Sequence, residues 1–197
     1  MKTVYVIGGM GAGKSTATRM LAALGAPVIN LDEVGHEVLA WSDVRSALAK
    51  AFGDQVIDAD GQVNRTRLAA CAFATEESTD VLNSIVQTAT LKRLSDMLDT
   101  YRAQDARTVI VECSAFRSRE AAKLREDDYV LAIVAPENAR IARAQEVGWS
   151  ADDIEKRMAQ QISDEERRRS ADFTIENDGS TEELKQKIVQ WWDAFQG

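Results

Sequence analysis

Cysteine, proline and long apolar runs are all scarce in this sequence. It holds two cysteines and two prolines in 197 residues, and no apolar run approaches the roughly 18 residues that a membrane-spanning helix needs. Two thiols are too few for a disulfide scaffold in a chain of this size, and they suit a reducing compartment. The first residues also lack the apolar centre of a signal peptide. We therefore expect a cytoplasmic protein without a membrane role.

Positive charge is in short supply as well. The chain carries 24 basic and 32 acidic side chains, which gives a formal net charge of −8. The average field repels phosphate polymers, so any anionic ligand has to be attracted by a local cluster of positive groups. We therefore expect no nucleic-acid partner, while the composition leaves the oligomeric state open.

Short β-branched segments alternate with longer segments of helical periodicity. Alternation of this kind is typical of a parallel α/β sheet. Residues 75–104 contain neither glycine nor proline and predict one or two long helices beside the sheet. The last segment predicts a helix with Leu184, Ile188 and Phe195 on one face. The predicted strands are residues 3–7, 27–30, 108–113, 129–134 and 173–175.

Residues 8–16, Gly-Gly-Met-Gly-Ala-Gly-Lys-Ser-Thr, fit the pattern of a phosphate-binding loop (P-loop) between a strand and a helix. Glycines let successive backbone N–H groups face phosphate oxygens, and the following helix adds the positive end of its dipole. We expect Lys14 to bridge the β- and γ-phosphates and Ser15 to bind magnesium. The alternative is a glycine-rich turn that only joins strand to helix. The predicted nucleotide-binding residues of the loop are Gly11, Ala12, Gly13, Lys14, Ser15 and Thr16.

Two carboxylates at predicted strand ends are candidates for the remaining chemistry. Glu112 ends the third strand and could hold magnesium through a water, or it could be a solvated strand end. Asp32 follows the second strand, at the sheet edge where ligands of open α/β folds bind. It could take the proton from an acceptor hydroxyl or orient that hydroxyl. The alternative for Asp32 is an N-cap of a helix over residues 33–39.

These motifs, in this order, resemble the dephospho-coenzyme A kinase family over most of the chain. The family's Gly-Gly-x-Gly-x-Gly-Lys-Ser-Thr loop is present in full. Its Asp-x-Asp after the second strand is Asn30-Leu31-Asp32 here, so only the second acid is retained. The further matches to the family are Asp60, Gly61, Val63, Arg65, Leu68, Phe73, Arg157, Gln161, Ala171, Asp172, Asn177, Gly179 and Ser180.

The resemblance implies an α/β fold, a P-loop three-layer sandwich with a five-stranded parallel sheet, a helical insert and a lid. It implies a single kinase domain over residues 1–197, with its core at about 1–36 and 105–197. A helical acceptor-binding region is expected at about 37–104 and the lid at about 140–170.

The implied activity is ATP-dependent transfer of a phosphate, with Mg²⁺, to the 3′-hydroxyl of dephospho-coenzyme A. Asp32 would then act on the acceptor hydroxyl, Arg143 would meet the transferring phosphate, and Asn177 would lie beside the adenine of ATP. A planar, permanently charged guanidinium suits the second of these tasks. The alternative for Arg140, Arg143 and residues 167–169 is a set of solvated helix faces.

Departures from the family pattern lie in the acceptor region and the lid. Gln87 and Thr88 replace a His-Pro pair, residues 114–118 replace a Pro-Leu-Leu-Phe-Glu block, and residues 146–148 lack a second lid arginine. Trp149, beside this last segment, either packs or covers a bound base. Two other functions therefore stay open: a nucleotide-binding protein with another acceptor or without transfer, and a P-loop hydrolase.

Overall fold

The computed structural model describes all 197 residues, which form two compact units. The first unit comprises Met1–Asn30 and Tyr101–Gly197, and the second comprises Leu31–Thr100. The first unit contains the whole β-sheet and the predicted phosphate loop. The second unit is mostly helical.

The sheet has five strands, and every neighbouring pair is parallel. Their order in space is β2-β3-β1-β4-β5. All five predicted strands are confirmed, and no strand end differs from its predicted position by more than one residue. The strands are β1 (Lys2–Ile7), β2 (Val28–Asn30), β3 (Thr108–Glu112), β4 (Asp128–Val134) and β5 (Phe173–Glu176).

Nine α-helices accompany the sheet, and none combines the length and the hydropathy needed to cross a membrane. Capping boxes at Ser163 and Ser180 start the eighth and ninth helices, because each serine is followed three residues later by a glutamate. The helices are α1 (Lys14–Ala23), α2 (Leu31–Val38), α3 (Ser42–Phe52), α4 (Arg65–Ala72), α5 (Glu76–Ala103), α6 (Glu137–Glu146), α7 (Ala151–Ala159), α8 (Asp164–Ser170) and α9 (Thr181–Gln196).

The central strand β1 explains where the phosphate loop lies. Its residues Val4, Val6 and Ile7 are fully buried, which is typical of a parallel strand covered on both faces. Parallel strands all end at the same edge of the sheet. The loop that leaves β1 after Ile7 therefore lies at the same edge as Glu112, the last residue of the neighbouring strand β3.

Residues 76–103 form one continuous helix, α5, rather than two, and all but its last three residues belong to the second unit. The turn at Gly61 returns the chain so that Ile57 and Val63 form an antiparallel bridge. Helix α2 begins at Leu31 and already contains Asp32 in its first turn. The interpretation of Asp32 as an N-cap is therefore wrong, because the helix begins one residue before it.

The main core of the first unit lies between the sheet and helices α1 and α9, which pack on each other. Leu184, Ile188 and Phe195 face this core, which confirms the predicted apolar face of α9. The Phe195 ring stacks on Trp191 and meets the edge of Tyr129, with ring centroids 5.0 and 5.1 Å away.

Truncation of Ile188 should destabilise the first unit. Ile188 is fully buried in the core cluster, and Ile→Ala changes at such sites cost about 2–5 kcal/mol in the free energy of unfolding. Urea unfolding of Ile188→Ala measures this loss. Gln190→Ala, an exposed change on the same helix, should stay within about 0.5 kcal/mol of the parent. Equal stability of the two variants would contradict the assigned packing face.

Candidate active site

The phosphate loop joins β1 to α1 and needs glycine at two positions. Gly11 and Gly13 have φ angles of 72° and 97°, in the left-handed region that side chains rarely adopt. A Cβ atom at Gly11 would overlap the carbonyl oxygen of Arg140, and one at Gly13 would overlap the amide of Asn177. The two glycines therefore permit both the turn and the close approach of the surrounding protein.

Three consecutive carbonyl groups of the loop accept hydrogen bonds from side chains behind it. The Met10 oxygen accepts from Arg140 Nε at 3.0 Å. The Gly11 oxygen accepts from Arg143 Nη1 at 3.4 Å. The Ala12 oxygen accepts from Asn177 Nδ2 at 2.8 Å. We call Arg140, Arg143 and Asn177 the carbonyl clamp.

The carbonyl clamp also fixes the direction of backbone N–H groups. In a planar trans peptide the C=O of one residue and the N–H of the next point in opposite directions. Carbonyls held against the protein therefore turn the N–H groups of Gly11 and Gly13 away from it. The N–H of Ala12 donates to the Gly9 oxygen at 3.1 Å and closes the turn of the loop.

Arg140 belongs to a buried ion cluster that also contains Asp164 and Arg167. Asp164 Oδ2 accepts from Arg140 Nη1 at 3.2 Å, and Asp164 Oδ1 accepts from Arg167 Nη1 at 2.6 Å. Arg140 is 6% exposed and Arg167 is 3% exposed. Two guanidinium groups share one carboxylate, so the cluster carries a net positive charge behind the loop. Burial lowers the pKa of Arg167, and the Asp164 carboxylate opposes that change.

The prediction of solvated helix faces is therefore wrong for Arg140 and Arg167 and correct for the exposed Arg168 and Arg169. Arg140 precedes Arg143 by three residues on α6, a spacing that places two side chains on one helix face. This spacing could have predicted that Arg140 and Arg143 both contact the loop.

Gln161, between α7 and α8, binds the loop from the same side. Its Oε1 accepts a hydrogen bond from the Met10 N–H at 2.9 Å. With Arg140 on the carbonyl of the same residue, both backbone polar groups of Met10 are engaged by side chains. The segment from α6 to α8 thus contacts the first half of the loop directly.

Ser15 and Glu112, the two predicted metal ligands, are hydrogen-bonded to each other. Ser15 Oγ donates to Glu112 Oε1 at 2.6 Å, and Thr18 Oγ1 donates to Glu112 Oε2 at 2.7 Å. Glu112 is only 6% exposed, so the solvated strand-end interpretation is wrong. The sequence interpretation missed Thr18, which follows Ser15 by three residues on α1 and so shares its helix face.

A cavity of about 370 Å³ opens over the loop. Lys14, a buried side chain, lines it together with Arg143 from α6. The last residue of α6, Glu146, and the turn that follows it, with Val147 and Trp149, line one side. Arg143 is held there by two carbonyl groups, because its Nη2 also donates to the oxygen of Asn177 at 3.2 Å.

The first unit thus brings together most of the residues predicted from the sequence. Gly11–Thr16, Glu112, Arg143 and Asn177 form one connected set of contacts around the loop. Asp32 belongs to the second unit, where its side chain is exposed in the first turn of α2.

The sheet order and the complete phosphate loop after the central strand define a P-loop nucleotide-binding protein, the class that includes many small-molecule kinases. A family model described as dephospho-CoA kinase matches residues 3–183. Proteins named dephospho-CoA kinase from Corynebacterium jeikeium and Corynebacterium diphtheriae are 34% and 31% identical to the chain. These matches cover 99% of this chain and 100% and 98% of those proteins.

The solved structure of TT1252 from Thermus thermophilus superimposes with a TM-score of 0.83 at 25% identity and covers 100% of this chain and 98% of its own. The chain belongs to the dephospho-CoA kinase family. The resemblance inferred from the motifs is confirmed, as is the five-stranded parallel sheet flanked by helices.

Loss of the Arg140 side chain should weaken nucleotide binding through the loop. Arg140→Met removes the donor to the Met10 carbonyl but leaves Asp164 paired with Arg167. A hydrogen bond from a charged group contributes about 1.5–3 kcal/mol, so we expect the Kd for ATP to rise by about 10- to 150-fold. Calorimetric titration with ATP measures the change.

Arg168→Met is the matched control, because Arg168 forms an exposed ion pair with Glu176. Such pairs contribute about 0–1 kcal/mol, so ATP binding should stay near that of the parent protein. Parent-like ATP affinity in Arg140→Met would show that the carbonyl contact does not support the loop.

Proposed function

We propose that the chain transfers the γ-phosphate of ATP to the 3′-hydroxyl of dephospho-coenzyme A, giving coenzyme A and ADP. The observation that carries this proposal is the family match over residues 3–183, which includes an intact phosphate loop. Relatives named dephospho-CoA kinase align over nearly their full length.

The phosphate loop supports ATP as the donor. The N–H groups that follow the clamped carbonyls, together with the N-terminus of α1, are the groups that bind α- and β-phosphates in P-loop proteins. Lys14 lines the same cavity and would stabilise the charge on the β- and γ-phosphates. Arg143 would add a second cation there, and we assign it to the transferring phosphate.

We assign two roles to Asn177: its side chain supports the loop, and its backbone positions a turn beside the base of ATP. Its side-chain amide donates to the Ala12 carbonyl, so the amide itself supports the loop. Its backbone N–H donates to the Val134 oxygen at 2.7 Å, which fixes the turn between β5 and α9. We propose that this turn lies beside the adenine.

Magnesium is the metal that we assign to Ser15 and Glu112. Mg²⁺ prefers oxygen ligands and is commonly held by one or two protein groups together with substrate phosphates and waters. The Ser15 hydroxyl would enter the metal shell, while Glu112 would act through a water and orient the hydroxyl. The metal would neutralise charge on the phosphates during transfer.

Asp32 is the residue that we assign to the acceptor. Its carboxylate is exposed in the first turn of α2, and an ionised carboxylate can accept the proton of an attacking hydroxyl. In this assignment the 3′-oxygen attacks the γ-phosphorus, the bond to the β–γ bridging oxygen breaks, and the hydroxyl proton passes to Asp32.

A cytoplasmic enzyme acting on a small molecule is the setting that we propose. Neither Cys71 nor Cys113 forms a disulfide bond, and Cys113 is buried, which is compatible with a reducing compartment. The net charge of −8 does not favour a nucleic-acid partner.

Substitution of Lys14 or Asp32 should separate donor from acceptor chemistry. Lys14→Ala should lower kcat/KM by about 100- to 1000-fold, the scale for one charge-stabilising donor. Asp32→Asn should lower kcat by about 100-fold or more through loss of the proton acceptor, while ATP binding stays close to normal. ADP release with and without dephospho-coenzyme A measures both effects.

His36→Gln, an exposed change on the same helix as Asp32, is the matched control and should keep acceptor-dependent turnover. ATP binding without any transfer by the parent protein would instead favour another acceptor or a nucleotide-binding role. ADP release that does not depend on the acceptor would favour a hydrolase.

Replacement of Glu112 should change the magnesium requirement. Glu112→Gln keeps the size of the side chain but removes the charge that the Ser15 and Thr18 hydroxyls contact. Loss of such a supporting group typically costs about 10- to 100-fold in metal affinity. We expect a matching rise in the Mg²⁺ concentration for half-maximal activity, and a smaller enhancement of ATP binding by Mg²⁺ in calorimetry.

Glu176→Gln serves as the control, since Glu176 also ends a strand but is paired with Arg168 at the surface. An unchanged Mg²⁺ dependence in Glu112→Gln would remove Glu112 from the metal site.

A further inference from the structure

Trp149 is the single aromatic side chain among the residues that line the cavity over the phosphate loop. It lies in the turn between α6 and α7 and keeps 37% of its surface exposed. The lining also contains the apolar side chains of Met10 and Val147, but neither is planar. The indole is therefore the one flat apolar surface that the lining residues offer to a ligand.

The indole ring is held in place from one side. The Arg157 guanidinium lies over one ring face, with its central carbon 4.2 Å from the ring centroid, which is a favourable cation–π distance. The backbone N–H of Trp149 donates to the Ala144 carbonyl oxygen at 3.1 Å, and Gly148 turns the chain with φ at 91°. Arg157 therefore covers one ring face, and the opposite face is the one that a flat ligand can contact. We call it the open face.

We propose that the open face of Trp149 stacks on the nucleobase of the phosphate donor. The proposal rests on the assignment of ATP as donor. Ser15 and Thr16 line the same cavity, and the N–H groups at this end of a phosphate loop bind the α-phosphate, which carries the ribose and base. A planar apolar surface in the same cavity suits a base and offers little to a phosphate.

Contacts of Arg143 support the same orientation of the donor. This residue joins the Gly11 carbonyl to the Asn177 carbonyl, and Asn177 begins the turn that we place beside the adenine. Trp149 follows the same helix by one turn and bonds back to Ala144, the neighbour of Arg143. Arg143 thus connects the loop and the β5–α9 turn, and it lines the same cavity as the indole.

The first experiment compares two ligands that share phosphates but differ in the base. Calorimetry would measure the Kd of ATP and of inorganic tripolyphosphate, with Mg²⁺ and without acceptor. Stacking of a base on an aromatic side chain accounts for about 5- to 100-fold in affinity. Trp149→Ala should therefore weaken ATP binding by about that factor and leave tripolyphosphate binding within about twofold.

Two further variants make the comparison specific. Trp149→Phe keeps an aromatic ring and should retain most of the ATP affinity. Leu24→Ala removes a side chain of matched exposure, 38%, at the far end of α1, and should bind both ligands as the parent does. Stacking tolerates different bases, so Trp149→Ala should also weaken GTP binding by a similar factor.

An equal loss for ATP and tripolyphosphate in Trp149→Ala would overturn the proposal, because Trp149 would then act on the loop and not on a base. Unchanged ATP affinity would overturn it as well and leave the indole as a support for Arg157 alone. Thermal unfolding of each variant identifies a folding defect, and in that case Trp149→Leu provides the non-aromatic comparison.

The outcome is independent of the acceptor. Suppose that Trp149→Ala weakens ATP binding but not tripolyphosphate binding, while the parent protein does not phosphorylate dephospho-coenzyme A. The stacking role would then stand, and the proposed transfer would be rejected. If the parent protein phosphorylates dephospho-coenzyme A but Trp149→Ala has the same effect on both ligands, the transfer would stand and the stacking role would be rejected.

Discussion

The direction of three consecutive carbonyl groups in the phosphate loop is the constraint on which the rest of the site depends. A loop that offers N–H groups to an anion must turn its carbonyl groups to the opposite side. In an isolated loop surrounded by water, no fixed donor would hold the carbonyl groups in that direction. Arg140, Arg143 and Asn177 each donate to one of these carbonyls. Because the donors come from α6 and from the turn that follows β5, the loop is organised before a ligand binds, which lowers the cost of binding.

The buried ion cluster places positive charge next to the phosphate loop of a chain whose overall charge repels anions. The protein carries a net charge of −8, yet Asp164 is shared by the buried side chains of Arg140 and Arg167. An unpaired positive charge in a poorly solvated place is costly by itself. The surplus positive charge of the cluster favours the binding of phosphate groups, which supply the missing negative charge. The repulsion from the distant acidic surface is weaker than this attraction, because salt screens charges at longer range.

Sequence reasoning succeeded where one local pattern decides the outcome. The strands follow from short β-branched runs, and the loop follows from glycines at fixed spacing. It failed for the burial of Arg140 and Arg167 and for the N-cap alternative of Asp32, while the catalytic assignment of Asp32 stays a prediction. Nothing in the local sequence distinguishes a buried arginine from a solvated one, since burial depends on what packs against the helix. The N-cap interpretation of Asp32 failed because α2 begins directly after β2, without a connecting turn. Asp32 therefore lies inside the helix and does not precede it.

The sequence by itself determined the parallel sheet, the phosphate loop and the membership of a kinase family, because periodicity and motif spacing are properties of the chain read in order. Only the tertiary structure decided which side chains hold the loop. Arg140 lies 130 positions from Met10, and Asn177 lies 165 positions from Ala12. Contacts at such separations arise when parallel strands end at one edge of a sheet. A hydrogen bond between them depends on distance and direction in space, which the order of residues does not specify.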